Sequence, residues 1–474
     1  MKSYDLIVIG TGSAMNLVSP ILQQNPSMKI AVVDKDEPGG ICLTRGCIPT
    51  KILLYPAELV REIEHAKQLG IDVEINKIDF PGIMARMRSI IDEDIENIRS
   101  GLSHSEDIDY YPTIAQFTAP YELKVGNEII TAKMIFLCTG SKPVIPAISG
   151  LEEIGYHTSD SILHIKKLPQ SLIIIGGGYI AAEYGHFFST MGSKVIIIGR
   201  NPQFLPQEEP EVSLVAQRKL GKHMTIYTDH EAIKAKINGN SKEITAKNRI
   251  NGELRRFTTE EVLIASGRGS NSDILHPEKA GIDTDENGWI KVDEYLETSQ
   301  SNVWAFGDAN GNHLFKHVGN YESMVVYYNA ILKNKVEVDY HAIPSAVFSY
   351  PEIARVGLRE KEAIAEYGED NIIIGYQKYE DTAKGMAMDV YDYFVKVILD
   401  SNRRILGAHI IGPQASILIQ EIINLMYTSD RSSLPISRGM HIHPALSEVV
   451  ERAFGRLMRP KDYHALIEGN VHHH

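Results

Sequence analysis

The sequence predicts a multidomain α/β chain, in which two parallel-sheet units are followed by a smaller α+β unit. Three observations predict it. An apolar strand near the N-terminus is broken by glycines, the same pattern returns near residue 171, and the texture changes beyond about residue 340. At 474 residues the chain exceeds what one hydrophobic core supports, so two to four domains are expected.

The first unit opens with "YDLIVIGTGSAMN" (4–16), an apolar run that breaks at Gly10 and Gly12, and continues to the strand "KIAVVDK" (29–35), which carries Asp34 near its end. Strand, glycine turn, helix and terminal acid fall in the order of a dinucleotide-binding unit. The glycines permit a tight turn close to a pyrophosphate, the helix start attracts its charge, and Asp34 accepts from a ribose hydroxyl. Met15 occupies the third glycine position, so looser or shifted helix–strand packing is expected there. The second unit, "SLIIIGGGYIAAEYG" (171–185), has Gly176 and Gly178 with Ala181 in third place, and leads to "KVIIIGR" (194–200). Each unit is completed by a later apolar strand ending in a small-residue turn, "MIFLCTGSKP" (134–143) and "VLIASGRGS" (262–270). Two such units imply two dinucleotides and electron traffic between them. A helix over 83–101, with Met87, Ile91, Ile95 and Ile98 at helical spacing and Gly101 as its C-cap, reads as packing. Beyond 340, short strands ("YFVKVILD", "ILGAHIIG") and helix patterns ("ASILIQEIINLMY", "LSEVVERAFGRL") form the α+β unit.

A net charge of −13 without a basic run argues against a nucleic-acid partner. No uninterrupted apolar stretch reaches membrane-spanning length, and the first strand begins too early to leave room for a signal peptide. Three cysteines do not make a disulfide scaffold, so a reducing cytoplasm is the expected location. The closing His472, His473 and His474 read as an expression-tag remnant.

Two of the three cysteines stand in "GGICLTRGCIPTK" (39–51). A structural zinc would need a second Cys/His pair of matching spacing, which is missing, and no metal site is expected. A structural disulfide would sit in a compartment that reduces it. A redox-active pair is the reading that remains, with Pro49 in a first helical turn and Lys51 nearby, both favouring a Cys47 thiolate.

This segment, with the two dinucleotide units, resembles the active-site region of the flavoprotein disulfide reductases, a family that includes dihydrolipoamide dehydrogenase, glutathione, mycothione and mercuric reductases. The resemblance runs from Tyr4 to about Tyr463. It implies two Rossmann-like domains, for FAD (1–148 and 270–340) and for NAD(P)H (149–269), a C-terminal α+β dimerisation domain (341–468), and a tail (469–474). It implies that Cys47 lies against the flavin in a charge-transfer complex, while Cys42 exchanges with the substrate disulfide. It also implies FAD contacts from Gly10, Gly12, Ser13, Asp34, Lys35 and Gly40, from the Thr139-Gly140-Ser141 turn, and from Gly307 and Asp308 of "NVWAFGDANG". Lys51 pairs with Glu183 beside the flavin by this resemblance. Gly176, Gly178, Tyr179, Ile180, Arg200 and Gly267 complete the cofactor-binding set, with Tyr179 covering the flavin until nicotinamide displaces it.

Thiol–disulfide exchange needs an acid/base near neutrality, and an imidazole held by a carboxylate supplies one. His443 and Glu448, with a helix expected to start at Pro444, resemble the family's terminal His–Glu pair, which reaches the cysteines of the other subunit in a homodimer. His441 is read as structural. No cysteine follows Cys138, a buried small hydrophobe by its setting, which disfavours mercuric reductases and the redox-tailed thioredoxin reductases. The redox pair disfavours transhydrogenases. A low-molecular-weight disulfide reductase or a dihydrolipoamide dehydrogenase remains; as an alternative, the latter acts chiefly as a docked subunit bound to lipoylated protein. Because Gly199-Arg200-Asn201 offers no carboxylate where NAD-specific sites carry one, NADPH is expected to be preferred, with NADH also used.

Overall fold

The computed structural model describes residues 1–471, and the His472–His474 triplet lies outside the described residues. The first sheet has seven strands. β1 (Lys2–Ile9) lies between β2 (Ile30–Val33) and, further along the chain, β6 (Glu128–Leu137), with both pairings parallel. The first glycine turn joins β1 to α1 (Met15–Gln24), and β2 is followed by α2 (Gly40–Arg45), α3 (Cys47–Ala66) and α4 (Phe80–Ser103). With β3 (Ile108–Tyr111), β4 (Ala115–Ala119) and β5 (Glu122–Val125), the order is β3-β2-β1-β6-β5-β4, and the distant strand Val303–Ala305 pairs parallel with β6. Residues about 165 positions apart in sequence therefore share one sheet.

Of the looser or shifted packing expected at Met15, the fold shows the shift. Ala14, fully buried in the core with Leu6 and Val8 of β1, supplies the small residue one position early, and Met15 packs half-buried at the rim. Gly101 does not cap α4 either. The helix runs on to Ser103 and ends on His104, whose backbone N–H donates to Ser100, so the glycine is carried inside the last turn.

The second sheet repeats the plan. β7 (Ser171–Ile175) leads through the second glycine turn into α5 (Tyr179–Met191) and β8 (Lys194–Ile198). After α6 (Pro210–Leu220) come β9 (Thr225–Tyr227), a three-stranded antiparallel meander β10-β11-β12 (His230–Asn238, Ser241–Asn248, Leu254–Thr259), and β13 (Glu261–Ile264). The parallel order is β9-β8-β7-β13, with His157–Thr158 at the edge.

The third unit is a six-stranded antiparallel sheet. It is built from β14 (Pro344–Val347), β15 (Ile353–Gly357), β16 (Ile372–Lys378), β17 (Phe394–Asp400), β18 (Ile405–Ile411) and β19 (Leu457–Met458), in the order β14-β15-β18-β17-β16-β19. α7 (Ala415–Met426) covers it with Leu418, Ile419, Ile422 and Ile423, and α8 (Glu448–Gly455) packs on β16. A buried ion cluster ties this unit to the second. Lys396 of β17, 0% exposed, reaches Glu209, Glu211 and Glu360 at 3.0, 2.5 and 2.6 Å. Such a cation is tolerable in the interior only because it is paired on several sides. Among the described residues, no helix is long and apolar enough to cross a membrane.

Candidate active site

The N-terminal turn is built for close approach. Gly10 has φ +108°, and a Cβ there would lie 2.1 Å from the Cys138 carbonyl oxygen. Gly176 repeats this in the second unit, with φ +137° and the Ala265 carbonyl at 2.1 Å. No other residue type fits either place, because an L side chain is both strained and blocked there. Thr11 then ties the turn to its surroundings. Its N–H and hydroxyl donate to Asp34 Oδ2 at 2.8 and 2.6 Å, and its oxygen accepts from the Gly39 N–H at 2.9 Å. Asp34 Oδ1 accepts from the Asp36 N–H at 3.0 Å, and burial pushes the Asp34 carboxyl above its usual range. Gly12 and Gly40 are packed backbone to backbone, since a Cβ on Gly40 would fall 2.5 Å from the Gly12 Cα. The start of the cysteine segment is thereby pressed onto the glycine turn.

Cys42 lies on α2, and Cys47 is the first residue of α3. Both are free thiols, Cys42 half-buried and Cys47 exposed. The Cys42 thiol donates to Cys47, and that bond, helped by the Lys51 charge against opposing burial, lowers the Cys47 thiol to about 7. The same bond and burial push Cys42 up. One thiolate at Cys47 and one thiol at Cys42 is the stable two-electron-reduced arrangement. Lys51, one turn further along α3, donates to Glu183 of α5 at 2.8 Å and lies 4.6 Å from the centre of the Phe348 ring. Glu183 also accepts from the Phe348 N–H at 3.0 Å, so this buried carboxylate joins all three units.

These groups open on one cavity of about 760 Å³. Its lining includes both cysteines, Gly10, Gly12, Ser13, Asp34, Lys35 and Gly40; Thr139, Gly140, Gly307 and Asp308; and Lys51, Tyr179, Ile180 and Glu183. Tyr179, 41% exposed, begins α5 at its edge. Ser141 departs from expectation. It is buried behind the wall, where its hydroxyl donates to Asp308 and accepts from Arg268 Nε at 2.7 Å, so it positions Asp308 rather than lining the cavity. Gly176, Gly178, Arg200 and Gly267 lie outside this cavity, on the second glycine unit and its exit.

A flavin dinucleotide fits this donor set. The Gly10–Gly12–Gly40 cradle leaves backbone exposed where a Cβ would intrude; among the described residues, the buried Thr139 hydroxyl has no partner and one Asp308 carboxylate oxygen is free of hydrogen bonds. Burial holds Asp308 above its ordinary value.

His443 sits apart from the cavity lining, in an exposed turn with its side chain 67% accessible. Its Nδ1 meets Glu448 at 3.0 Å, and Arg452 adds a 3.3 Å contact to the same carboxylate. The helix expected at Pro444 begins only at Glu448, so the pair bridges a turn and a helix start. His441 is held by Glu421 at 3.3 Å. Cys138, which closes the Gly10 turn, is half-buried, and its thiol is pushed well up by burial.

Two residues escaped the sequence reading. Arg268 donates to the Ser141 hydroxyl and carbonyl, behind Asp308, from 127 positions further along the chain. Lys316 lines the cavity with its Nζ 3.0 Å from Ser13 Oγ, without a carboxylate partner among the described residues, and burial lowers its ammonium while the nearby thiols raise it. Arg268 lies in the small-residue turn of the 262–270 segment and Lys316 in no motif, and folding brings both to the cavity.

Comparison with known proteins agrees with this geometry. Residues 4–333 match the family described as pyridine nucleotide-disulphide oxidoreductase, and residues 343–454 match that family's dimerisation domain. The chain is similar to mycothione reductase of Mycobacterium tuberculosis, 35% identical over 468 residues, covering 96% of this chain and 99% of the relative. It is similar to dihydrolipoyl dehydrogenase of Chlamydia trachomatis, 34% identical over 459 residues, covering 94% and 95%. Its fold is similar to the HOCl-induced flavoprotein disulfide reductase RclA from Escherichia coli, with a TM-score of 0.84 at 26% identity, covering 95% of this chain and 99% of that one. A match of this extent shows the family: the chain belongs to the pyridine nucleotide-disulphide oxidoreductases, homodimeric flavoprotein enzymes that use FAD and a pyridine nucleotide.

Proposed function

We propose that this chain is a cytoplasmic, NADPH-preferring reductase of a low-molecular-weight disulfide, working as a homodimer whose active site is shared across subunits. The observation that carries the reading is the cysteine pair itself, with a Cys47 thiolate favoured by its partner thiol and by Lys51, on the same cavity as the Gly10–Gly12 turn. When bound, FAD supplies the two-electron relay between nicotinamide and this pair.

In the reductive direction, His443 of the second copy takes the Cys42 proton as the Cys42 sulfur attacks one sulfur of the substrate disulfide. The substrate S–S bond breaks, and the first thiol leaves with a proton from His443 of the second copy. The Cys47 thiolate then attacks the Cys42 sulfur, which releases the second product as a thiolate that takes its proton from water and leaves a Cys42–Cys47 disulfide, reduced again by one electron pair from NADPH. Glu448 keeps the imidazole oriented through this cycle, as a carboxylate partner does in other acid/base pairs. Lys51 keeps Glu183 compensated where the relay passes. Run backwards, the same steps oxidise a dithiol.

Tyr179 at the cavity edge supports a small-disulfide reductase, as does the absence of a carboxylate at Gly199-Arg200-Asn201. The likeness to dihydrolipoyl dehydrogenase supports a second reading, in which a lipoylated protein is the partner. The test is NADPH and NADH oxidation with lipoamide, glutathione, mycothiol and coenzyme A disulfides. Turnover of a non-lipoyl disulfide is expected, and turnover of lipoamide alone, with NADH, would overturn the reading.

A further inference from the structure

Arg200 stands alone in sequence, because no second basic residue follows it within the next several positions. The fold supplies one from elsewhere. Arg249 lies just beyond β11, in the turn of the meander, and its guanidinium donates to the Arg200 carbonyl at 2.8 Å. The approach is fixed by backbone. The Gly199 N–H donates to Tyr227 and the His230 N–H to Gly199, at 2.8 and 3.0 Å. The Asp229 N–H donates to Asn201, and the Arg249 N–H to Asp229, at 2.9 and 2.7 Å. Three separate strand ends thus converge on the exit of β8.

We propose that Arg249 and Arg200 together form the subsite for the 2′-phosphate of NADPH, so that the meander hairpin, and not the β8 turn alone, sets the nucleotide preference. This rests on the NADPH reading above. Arg200 and Arg249 are both exposed, and among the described residues neither is in an ion pair. The acid on this loop, Asp229, pairs with neither of them. The place fits a phosphomonoester on a ribose held at the second glycine turn. A dinucleotide laid on Gly176–Gly178 brings its adenosine ribose to the end of β8, where Gly199 packs against Gly177 with only 3.4 Å to spare for a Cβ. A divalent phosphate there meets two forked donors from different elements, a stronger and more selective arrangement than a single flexible arginine. The surrounding meander adds a favourable field, for residues 230–259 hold seven Lys and Arg against three Glu in a chain of net charge −13.

The experiment titrates the FAD-loaded enzyme with adenosine 2′,5′-bisphosphate and with 5′-AMP by calorimetry, and follows flavin reduction by NADPH and NADH in stopped flow. The proteins are wild type, Arg249→Gln, Arg249→Lys, Arg200→Gln and Lys236→Gln. Lys236 is on the same sheet but is paired with Glu243 at 3.2 Å, so its variant removes one charge without touching the proposed subsite. The expected result is that Arg249→Gln weakens the bisphosphate by roughly tenfold or more, the scale of one lost charge-assisted pair, with 5′-AMP affinity and reduction by NADH unchanged. Arg249→Lys, which keeps the charge and the hairpin but not the fork, should fall between. If wild type favours NADPH and Arg249→Gln matches it while Arg200→Gln does not, the role of Arg249 is refuted and the NADPH reading stands. An equal loss in Lys236→Gln would assign the effect to the general field and refute the subsite. Wild type binding both adenosine nucleotides equally would overturn the NADPH reading itself.

Discussion

Replacing Cys42 by Ala tests the electrostatic heart of the site. The Cys47 thiol lies at about 7 instead of the ordinary 9.0, and the Cys42 hydrogen bond is the largest contribution, ahead of the Lys51 charge. At pH 7 an ordinary thiol of that kind is about 1% thiolate, whereas one at about 7 is about half ionised. The substitution removes the donor and leaves the burial that opposes ionisation ranked ahead of the Lys51 charge, so the Cys47 titration should move up at least to the ordinary value. Alkylation of the reduced holoenzyme by iodoacetamide, mapped to the Cys47 peptide by mass spectrometry across pH 5–10, reads this directly. In wild type the rate should fall as pH drops through about 7, because the thiolate is protonated there. In Cys42→Ala the same fall should begin at higher pH, with the rate at pH 7 lower by roughly tenfold or more. Flavin content should be retained, since the cradle of Gly10, Gly12 and Gly40 is untouched. A Cys47 midpoint near 7 in both proteins would refute the shared hydrogen bond as the cause.

His443→Gln should leave reduction by nicotinamide intact yet slow the thiol half-reaction by roughly two to four powers of ten, the scale of a positioned acid/base; stopped-flow separation of the steps showing loss only in flavin reduction would contradict this. Lys316→Met removes a cation that faces Cys42 and should slow alkylation of Cys42 at pH 8 several-fold, with Lys316→Arg close to wild type; equal rates in all three proteins would refute the role. Glu208 is buried, and burial pushes its carboxyl up to about 7 despite Arg355 3.5 Å away. Folding therefore favours its protonated form, and the stability present below about 4.5 is lost as pH rises through about 7. Glu208→Gln should accordingly gain on wild type by about 3 kcal/mol between pH 4.5 and 8. A stability difference that stays constant over that range, by denaturant unfolding, would sink the assignment.

What the sequence determined by itself was local. Glycine turns, the acid after β2 and the Cys42–Cys47 segment are short-range patterns whose residue types are forced by backbone geometry or by chemistry, as Gly10 and Gly176 illustrate. The repeat of the nucleotide unit was legible for the same reason. One local expectation was met as a shift, and one failed by a small margin. The packing contact fell to Ala14 instead of position 15, and α4 carried Gly101 inside its last turn because tertiary packing of Met87, Ile91 and Ile95 outweighs a glycine's modest cost. Only the tertiary structure decided which distant groups meet. Arg268 crosses from the second unit to Ser141, Lys316 enters the cavity from a position far from the motifs, Ser141 is turned from a lining group into a support for Asp308, and Arg249 arrives beside Arg200 from a hairpin some fifty residues on. Charges act through space over several ångströms and carry no periodicity along the chain, so no sequence pattern marks them. Folding alone brings such residues together.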